Sequence, residues 1–216
     1  MAVKYAALAL VLALFCAAFA APTGAQEKPI NLVVLGDSLS AGFGLAGEVA
    51  FPARLSAALK AKSVAVNMIN SGVSGDTASG GLERLDWSVP EGAEAVIVEL
   101  GANDMLRGVD PQVTRRALDQ IITRLKARNI AVLLCGMRAA PNLGADYRRA
   151  FDPIFPALAT THNVVFYPFF LEGVAADNAL NQRDGLHPNA AGVDAIVKRV
   201  LPKVEELIAR VRASRS

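Results

Sequence analysis

Five apolar runs of strand length alternate with segments of helical period along this chain, and that alternation restricts the fold most. The runs are Asn31–Leu35, Val64–Ile69, Ala95–Leu100, Ile130–Cys135 and Val164–Tyr167. Between and after them lie helical patterns over Phe51–Lys62, Asp76–Asp86, Pro111–Arg128, Asp146–His162 and Asn189–Arg212. Pro111–Arg128 is the clearest: Val113, Leu118, Ile121, Ile122 and Leu125 form an apolar stripe, and Pro111 suits a first helical turn. Pro153 and Pro156 predict an irregular path in the next helix, and Pro202 a bend in the last. Strands that alternate with helices pair in parallel and are covered on both faces. Right-handed crossovers then give a single-domain, three-layer α/β/α sandwich around a five-stranded parallel sheet. Ligands of such sheets bind outside the carboxyl ends of the strands.

The first 25 residues stand apart. Lys4 is their only charge, an apolar run spans Tyr5 to Ala21, and Ala18-Phe19-Ala20 offers small residues for cleavage. This reads as an export signal cleaved after Ala20 or after Ala25, leaving residues 26–216 as the folded domain. The rival reading is an uncleaved anchor, but the run is short and rich in Ala for a span. Phe15 precedes Cys16, where lipidation needs a small residue. The two cysteines of the chain are Cys16 and Cys135. Cleavage removes the first, so the mature domain is expected to hold no internal disulfide and to bury Cys135 as an inert core thiol. An exported location, periplasmic or secreted, follows from the leader.

Charge and histidine counts narrow the chemistry. Lys+Arg total 22 against 20 Asp+Glu, a near balance that argues against a nucleic-acid partner. The two histidines are His162 and His187, so a poly-His metal site is not expected and any imidazole base is one of these two. His162 has no carboxylate close in sequence and reads as a surface residue at a helix end.

Four polar clusters follow predicted elements. Gly36-Asp37-Ser38-Leu39-Ser40 leaves the first strand toward a helix, which suits either a helix cap or a serine whose attack creates an oxyanion. Ser74-Gly75-Asp76-Thr77 follows the second strand, and Gly75 lets a backbone N–H approach a ligand closely. Gly101-Ala102-Asn103-Asp104 follows the third, and Asn103 can donate its amide to an oxyanion. Asp76 and Asp104 read as loop-fixing acceptors of backbone hydrogen bonds. In Asp184-Gly185-Leu186-His187-Pro188-Asn189, Gly185 supplies a turn. It lets the Asp184 carboxylate hold Nδ1 of His187, leaving Nε2 as base; a polar helix start is the other reading. Together the clusters hold a nucleophile, extra oxyanion donors, a base and its orienting carboxylate, the set that acyl transfer requires.

This set resembles the SGNH hydrolase superfamily, the GDSL esterases and lipases, over essentially the whole mature chain. The blocks stand here as G-D-S-L-S (36–40), S-G-D-T (74–77), G-A-N-D (101–104) and D-G-L-H-P-N (184–189). The longer strings look closest to the bacterial exported branch of arylesterases and acyl-CoA thioesterase/lysophospholipases. The resemblance implies a flavodoxin-like sheet, Ser38 as nucleophile, His187 as base and Asp184 as its partner. It also implies an oxyanion hole of Ser38 N–H, Gly75 N–H and Asn103. Met105 and Leu106 would lie on a mobile loop beside the acyl chain, and Ala139, Ala140 and Pro141 would form an acyl-pocket wall. No Gly-x-Ser-x-Gly elbow is present, so an α/β-hydrolase assignment does not fit.

The expected activity is therefore carboxylic-ester or thioester hydrolysis through an acyl-enzyme. No cofactor and no metal are implied, and membranes enter only through lipid substrates. A carbohydrate O-acetylesterase is the alternative within the fold. A metal-dependent phosphoesterase built on Asp37, Asp76, Asn103, Asp104, Asp184 and His187 is weaker, because it has one useful imidazole. A binding module that keeps the fold without activity is a third reading.

Overall fold

The computed structural model describes residues 28–215, and the expected leader lies outside them. Five strands form one parallel sheet in the order β2-β1-β3-β4-β5. They are β1 (Ile30–Gly36), β2 (Val66–Gly72), β3 (Ala95–Glu99), β4 (Ala131–Cys135) and β5 (Val165–Tyr167). The central strands are apolar on both faces because both are covered: every residue of β3 is buried, as are all but Asn31 in β1. Helices α2 (Phe51–Ala61) and α9 (Ala190–Arg215) pack together on one side. On the other, α6 (Pro111–Ala127) packs against α3 (Ala78–Glu83) and α8 (Ile154–His162). This is the expected three-layer sandwich.

Helix α6 illustrates why these segments fold as they do. Asp110 caps it by accepting the Gln112 N–H at 2.9 Å, and Pro111 opens it without losing a bond. Ala117, Leu118, Ile121, Ile122 and Leu125 are buried at helical spacing, and Arg124 and Lys126 sit in the last turn, where cations are favoured. Thr114 is buried rather than Val113, because its hydroxyl reaches Asp104 Oδ1 at 2.9 Å.

Several boundaries differ from expectation. The second strand is shifted toward the C-terminus, to Val66–Gly72, because β1 pairs with it through the polar end, Gly36 opposite Gly72. The segment expected as one helix over 76–86 is α3 followed by α4 (Leu85–Ser88). The segment over 146–162 divides at Asp152-Pro153 into α7 (Gly144–Phe151) and α8, since Pro153 lacks the N–H an uninterrupted helix needs. Helix α9 runs through Pro202 as one assigned helix. His162 is half-buried rather than on the surface, with Nε2 2.7 Å from Asp119 Oδ1. Cys135 is buried as expected.

The register aligns Gly72, Gly36, Glu99, Cys135 and Tyr167 in one row at the carboxyl edge of the sheet. Strand order reverses beside β1, so the crevice of this edge opens between β1 and β3. Arg84, between α3 and α4, secures that corner. Its Nε meets Asp76 Oδ2 at 2.5 Å, while its other nitrogens donate to Gly36 O (2.9 Å), Ser71 O (2.8 Å) and Ser88 Oγ (2.9 Å). Both side chains are largely removed from water, at 6% and 18% exposure. The expectation that Asp76 binds backbone N–H groups is thus corrected: its partner is a guanidinium.

Replacing Arg84 by Leu strands the Asp76 carboxylate and two strand-end carbonyls. Loss of one partner from a buried ion pair costs about 3–5 kcal/mol. Urea denaturation of Arg84→Leu should show a fall of that order, and a change below about 0.5 kcal/mol, the size expected of a surface substitution, would contradict the bracing role.

Candidate active site

Ser38 lies two residues beyond the end of β1 and begins α1 (Ser38–Ala41), a single turn of helix. So short a helix contributes individual N–H donors and little macrodipole. Asp37 is its cap, accepting the Leu39 N–H at 2.9 Å. His187 reaches Ser38 from the loop between β5 and α9. Its Nε2 lies 2.9 Å from Ser38 Oγ, and its Nδ1 lies 2.6 Å from Asp184 Oδ2. A carboxylate only accepts, so Nδ1 carries the proton and Nε2 is left to accept from the serine hydroxyl.

Asp184 is fixed by the turn that bears it. Its Oδ1 accepts the N–H groups of Leu186 (2.9 Å) and His187 (3.0 Å). Those backbone bonds, His187 first, and then the imidazole hold its carboxyl down at about 2. Those bonds favour the charged form of Asp184 at neutral pH.

Asn103 stands near the N-terminus of α5 (Ala102–Leu106), beyond β3. Its Nδ2 donates to Asp37 Oδ2 at 3.0 Å. With two amide hydrogens, it keeps one for a ligand. Asn103, Ser38 and His187 line one cavity of about 110 Å³. Gly75 does not line it. Its backbone is left-handed (φ +87), a conformation suited to glycine, and Arg107 Nη2 donates to its carbonyl at 2.7 Å, which ties the loop after β2 to the end of α5.

Apolar side chains continue the cavity outward. Met105, Leu106, Met137, Leu171 and Leu186 line both the space beside Ser38 and a larger one of about 380 Å³. Ala139, Ala140, Pro141 and Phe169 complete the larger space. All the residues expected to face an acyl chain are thus on one surface. Met105 and Leu106 belong to α5, however, and not to a loop as expected, because the helix runs to Leu106.

Three supporting residues carried no signal in the sequence. Phe43 lies against the His187 ring, with centroids 4.5 Å apart. Gln182 joins the two catalytic loops, with Nε2 donating to Phe43 O at 2.7 Å and Pro188 O at 3.0 Å. Glu99 is buried beneath Asp37. Their partners are distant in sequence, so no local spacing marks them.

The carboxylates proposed for a metal-binding reading are dispersed into other roles. Asp104 accepts from Ala78 N and Thr114 Oγ1, and Asp76 pairs with Arg84. Among the described residues, no group of three His, Cys, Asp or Glu side chains is arranged to hold a metal ion.

Comparison with known proteins finds similar sequences and structures over most of the chain. A family model described as GDSL-like Lipase/Acylhydrolase family matches residues 34–195. The chain is 39% identical over 179 residues to Thioesterase 1/protease 1/lysophospholipase L1 of Escherichia coli (strain K12), covering 82% of this chain and 85% of that protein. It is 41% identical over 182 residues to an arylesterase of Vibrio mimicus, covering 84% and 88%. The crystal structure of AlinE4, an SGNH-hydrolase family esterase, superposes with a TM-score of 0.71 at 43% identity, covering 83% of this chain and 97% of that one.

Asp184→Asn should remain folded and lose about 10²- to 10⁴-fold in kcat, because an amide can stabilise the wrong imidazole tautomer. A carboxyl held low in the folded state contributes stability above its unfolded pKa of about 3.9 and loses it as pH falls through about 2. The stability gap between wild type and Asp184→Asn should accordingly be constant down to about pH 4 and close between about pH 4 and 2. A gap that widens on acidification would contradict the assignment.

Proposed function

The chain belongs to the GDSL-like lipase/acylhydrolase family, and from that premise we propose a serine mechanism centred on Ser38. The protein is a carboxylic-ester hydrolase of the SGNH type, acting on acyl esters or thioesters. One observation carries the mechanism: a continuous hydrogen-bonded chain from Ser38 Oγ through His187 to Asp184, at the mouth of an apolar cavity.

In this mechanism Ser38 Oγ attacks the acyl carbonyl while His187 Nε2 takes its proton. Asp184 favours the imidazolium that forms. The oxyanion is met by the Ser38 and Gly75 N–H groups and by the second amide hydrogen of Asn103. His187 then protonates the leaving alcohol or thiol, and water cleaves the acyl-enzyme with the proton steps reversed. Met105, Leu106, Ala139, Ala140 and Pro141 take the acyl chain. Their apolar surface supports chains longer than acetyl, since each methylene buried gains about 0.8 kcal/mol.

Ser38→Ala is expected to fold as wild type and lose nearly all hydrolysis of aryl and acyl esters. The wild type should prefer acyl chains to acetylated glycans in a substrate panel. Undiminished turnover by Ser38→Ala would end the serine mechanism, and preference for acetylated glycans would overturn the substrate class.

Export is proposed from the sequence of residues 1–25. Intact mass of protein recovered outside the cytoplasm should place its first residue at Ala21 or Gln26. An unprocessed chain beginning at Met1 would contradict cleavage.

A further inference from the structure

Glu99 occupies a position that an ordinary strand residue would not. It ends β3 in the row that runs across the sheet, opposite Gly36 on one side and Cys135 on the other. It is 1% exposed, and its Oε1 has no hydrogen-bond partner among the described residues. Its Oε2 accepts from the Asp37 backbone N at 3.5 Å, and Ser40 Oγ beside it donates to the Asp37 carbonyl at 3.2 Å. Space for it exists because residue 36 is glycine. A Cβ there would stand 2.8 Å from Glu99 Oε2 and 2.2 Å from Ser40 Oγ. A buried carboxyl without a cation is costly, and a leucine would fill the same place at lower cost.

The Asp37 carboxylate is the link to the reaction. It accepts from Leu39 N and from Asn103 Nδ2. An amide can present either its oxygen or its nitrogen, and a carboxylate at this point selects the nitrogen. We propose that Glu99 is a positioning residue for the oxyanion hole: its carboxyl and that of Asp37 act as one buried pair that fixes the Asn103 amide with its donors toward Ser38. This rests on the reading of Asn103 as an oxyanion donor and adds the device that orients it.

Two carboxylates this close cannot both be charged in a buried site. Burial first, and then the Asp37 charge, push Glu99 well above the ordinary range. Burial raises Asp37 only to about 6, because Leu39 N–H, Asn103 and His187 counter it. Both Asp37 oxygens accept from N–H groups, which favours its charged form, whereas burial and the neighbouring Asp37 favour the protonated form of Glu99. The groups facing Glu99 are Asp37 and Ser40 from the turn after β1 and Cys135 from β4. Arg84 reaches this corner only through the Gly36 carbonyl. Asp104 and His187 act on Asp37, with opposite sign. A neutral Glu99 still accepts the Asp37 N–H through Oε2, which holds Asp37 without adding a second negative charge beneath the oxyanion.

A double-mutant cycle tests this. Asn103→Ala should lower kcat by about 10²- to 10³-fold, the usual loss for one oxyanion donor. Glu99→Ala should lower kcat by about 10-fold or more in the wild-type background with KM little changed, and by less than about 2-fold when Asn103 is already Ala. Glu99→Gln, which keeps a neutral acceptor of the same shape, should recover most of the loss. Equal losses from Glu99→Ala in both backgrounds, or none in either, overturn the proposal while leaving Asn103 as donor. Wild-type kcat in Asn103→Ala overturns the oxyanion reading and the proposal with it. Should Glu99→Ala not fold, NMR of the enzyme with ¹³C-carboxyl-labelled glutamate decides. The resonance absent from Glu99→Gln should keep the shift of a protonated acid from about pH 5 to 8, where free glutamate is ionised; an ionised shift overturns the proposal.

Discussion

Parallel pairing of β1 between β2 and β3 is the constraint on which the remaining structure depends. It brings the carboxyl ends of β1, β2 and β3 to one edge, with Gly36 opposite Gly72 and Glu99. Strands β1 and β3 then deliver their clusters to the same crevice, Asp37 and Ser38 from β1 and Asn103 from β3, while Gly75 after β2 is tied to the end of α5 through Arg107. The loop after β5 closes the set with His187, which is 149 positions from Ser38 in sequence. Arg84 holds the paired ends of β1 and β2 through the Gly36 and Ser71 carbonyls. The geometry of the reaction is thus a property of the sheet edge, and the loops supply side chains to a frame already fixed.

Acidic groups at that edge divide by environment. Asp184 lies on an exposed loop and is held anionic by backbone N–H groups, so it orients an imidazole. Asp37 and Glu99 lie under the sheet end, where burial raises both. Three carboxyl groups near Ser38 therefore have distinct partners. Asp184 faces the His187 imidazole, Asp37 the Asn103 amide, and Glu99 the Asp37 N–H.

Much of this was legible in the sequence. The apolar runs of β1, β3 and β4 are continuous because both sheet faces are covered, and their ends fall within a residue of expectation. Strand β2 was misplaced because it is an edge strand, and its pairing continues into Asn70, Ser71 and Gly72, which look like a loop. The Ser38, Asn103 and His187 clusters stood out because each combines a turn former with a reactive side chain beyond a clear element. Arg84, Gln182 and Phe43 did not. A buried arginine between two short helices has the same local pattern as an exposed one, and its partners, Gly36, Ser71 and Asp76, come from other segments. Glu99 looked like one polar residue at the end of a strand. Its meaning arises only when Asp37 and Asn103 are placed above it.

The Ser38 nucleophile is tested most directly by fluorophosphonate labelling followed by peptide mapping. A Ser38 held against His187 Nε2 predicts one adduct per chain, on the peptide containing Ser38, with loss of esterase activity in proportion to labelling. Full activity after stoichiometric labelling of Ser38, or an adduct confined to another serine, would contradict it.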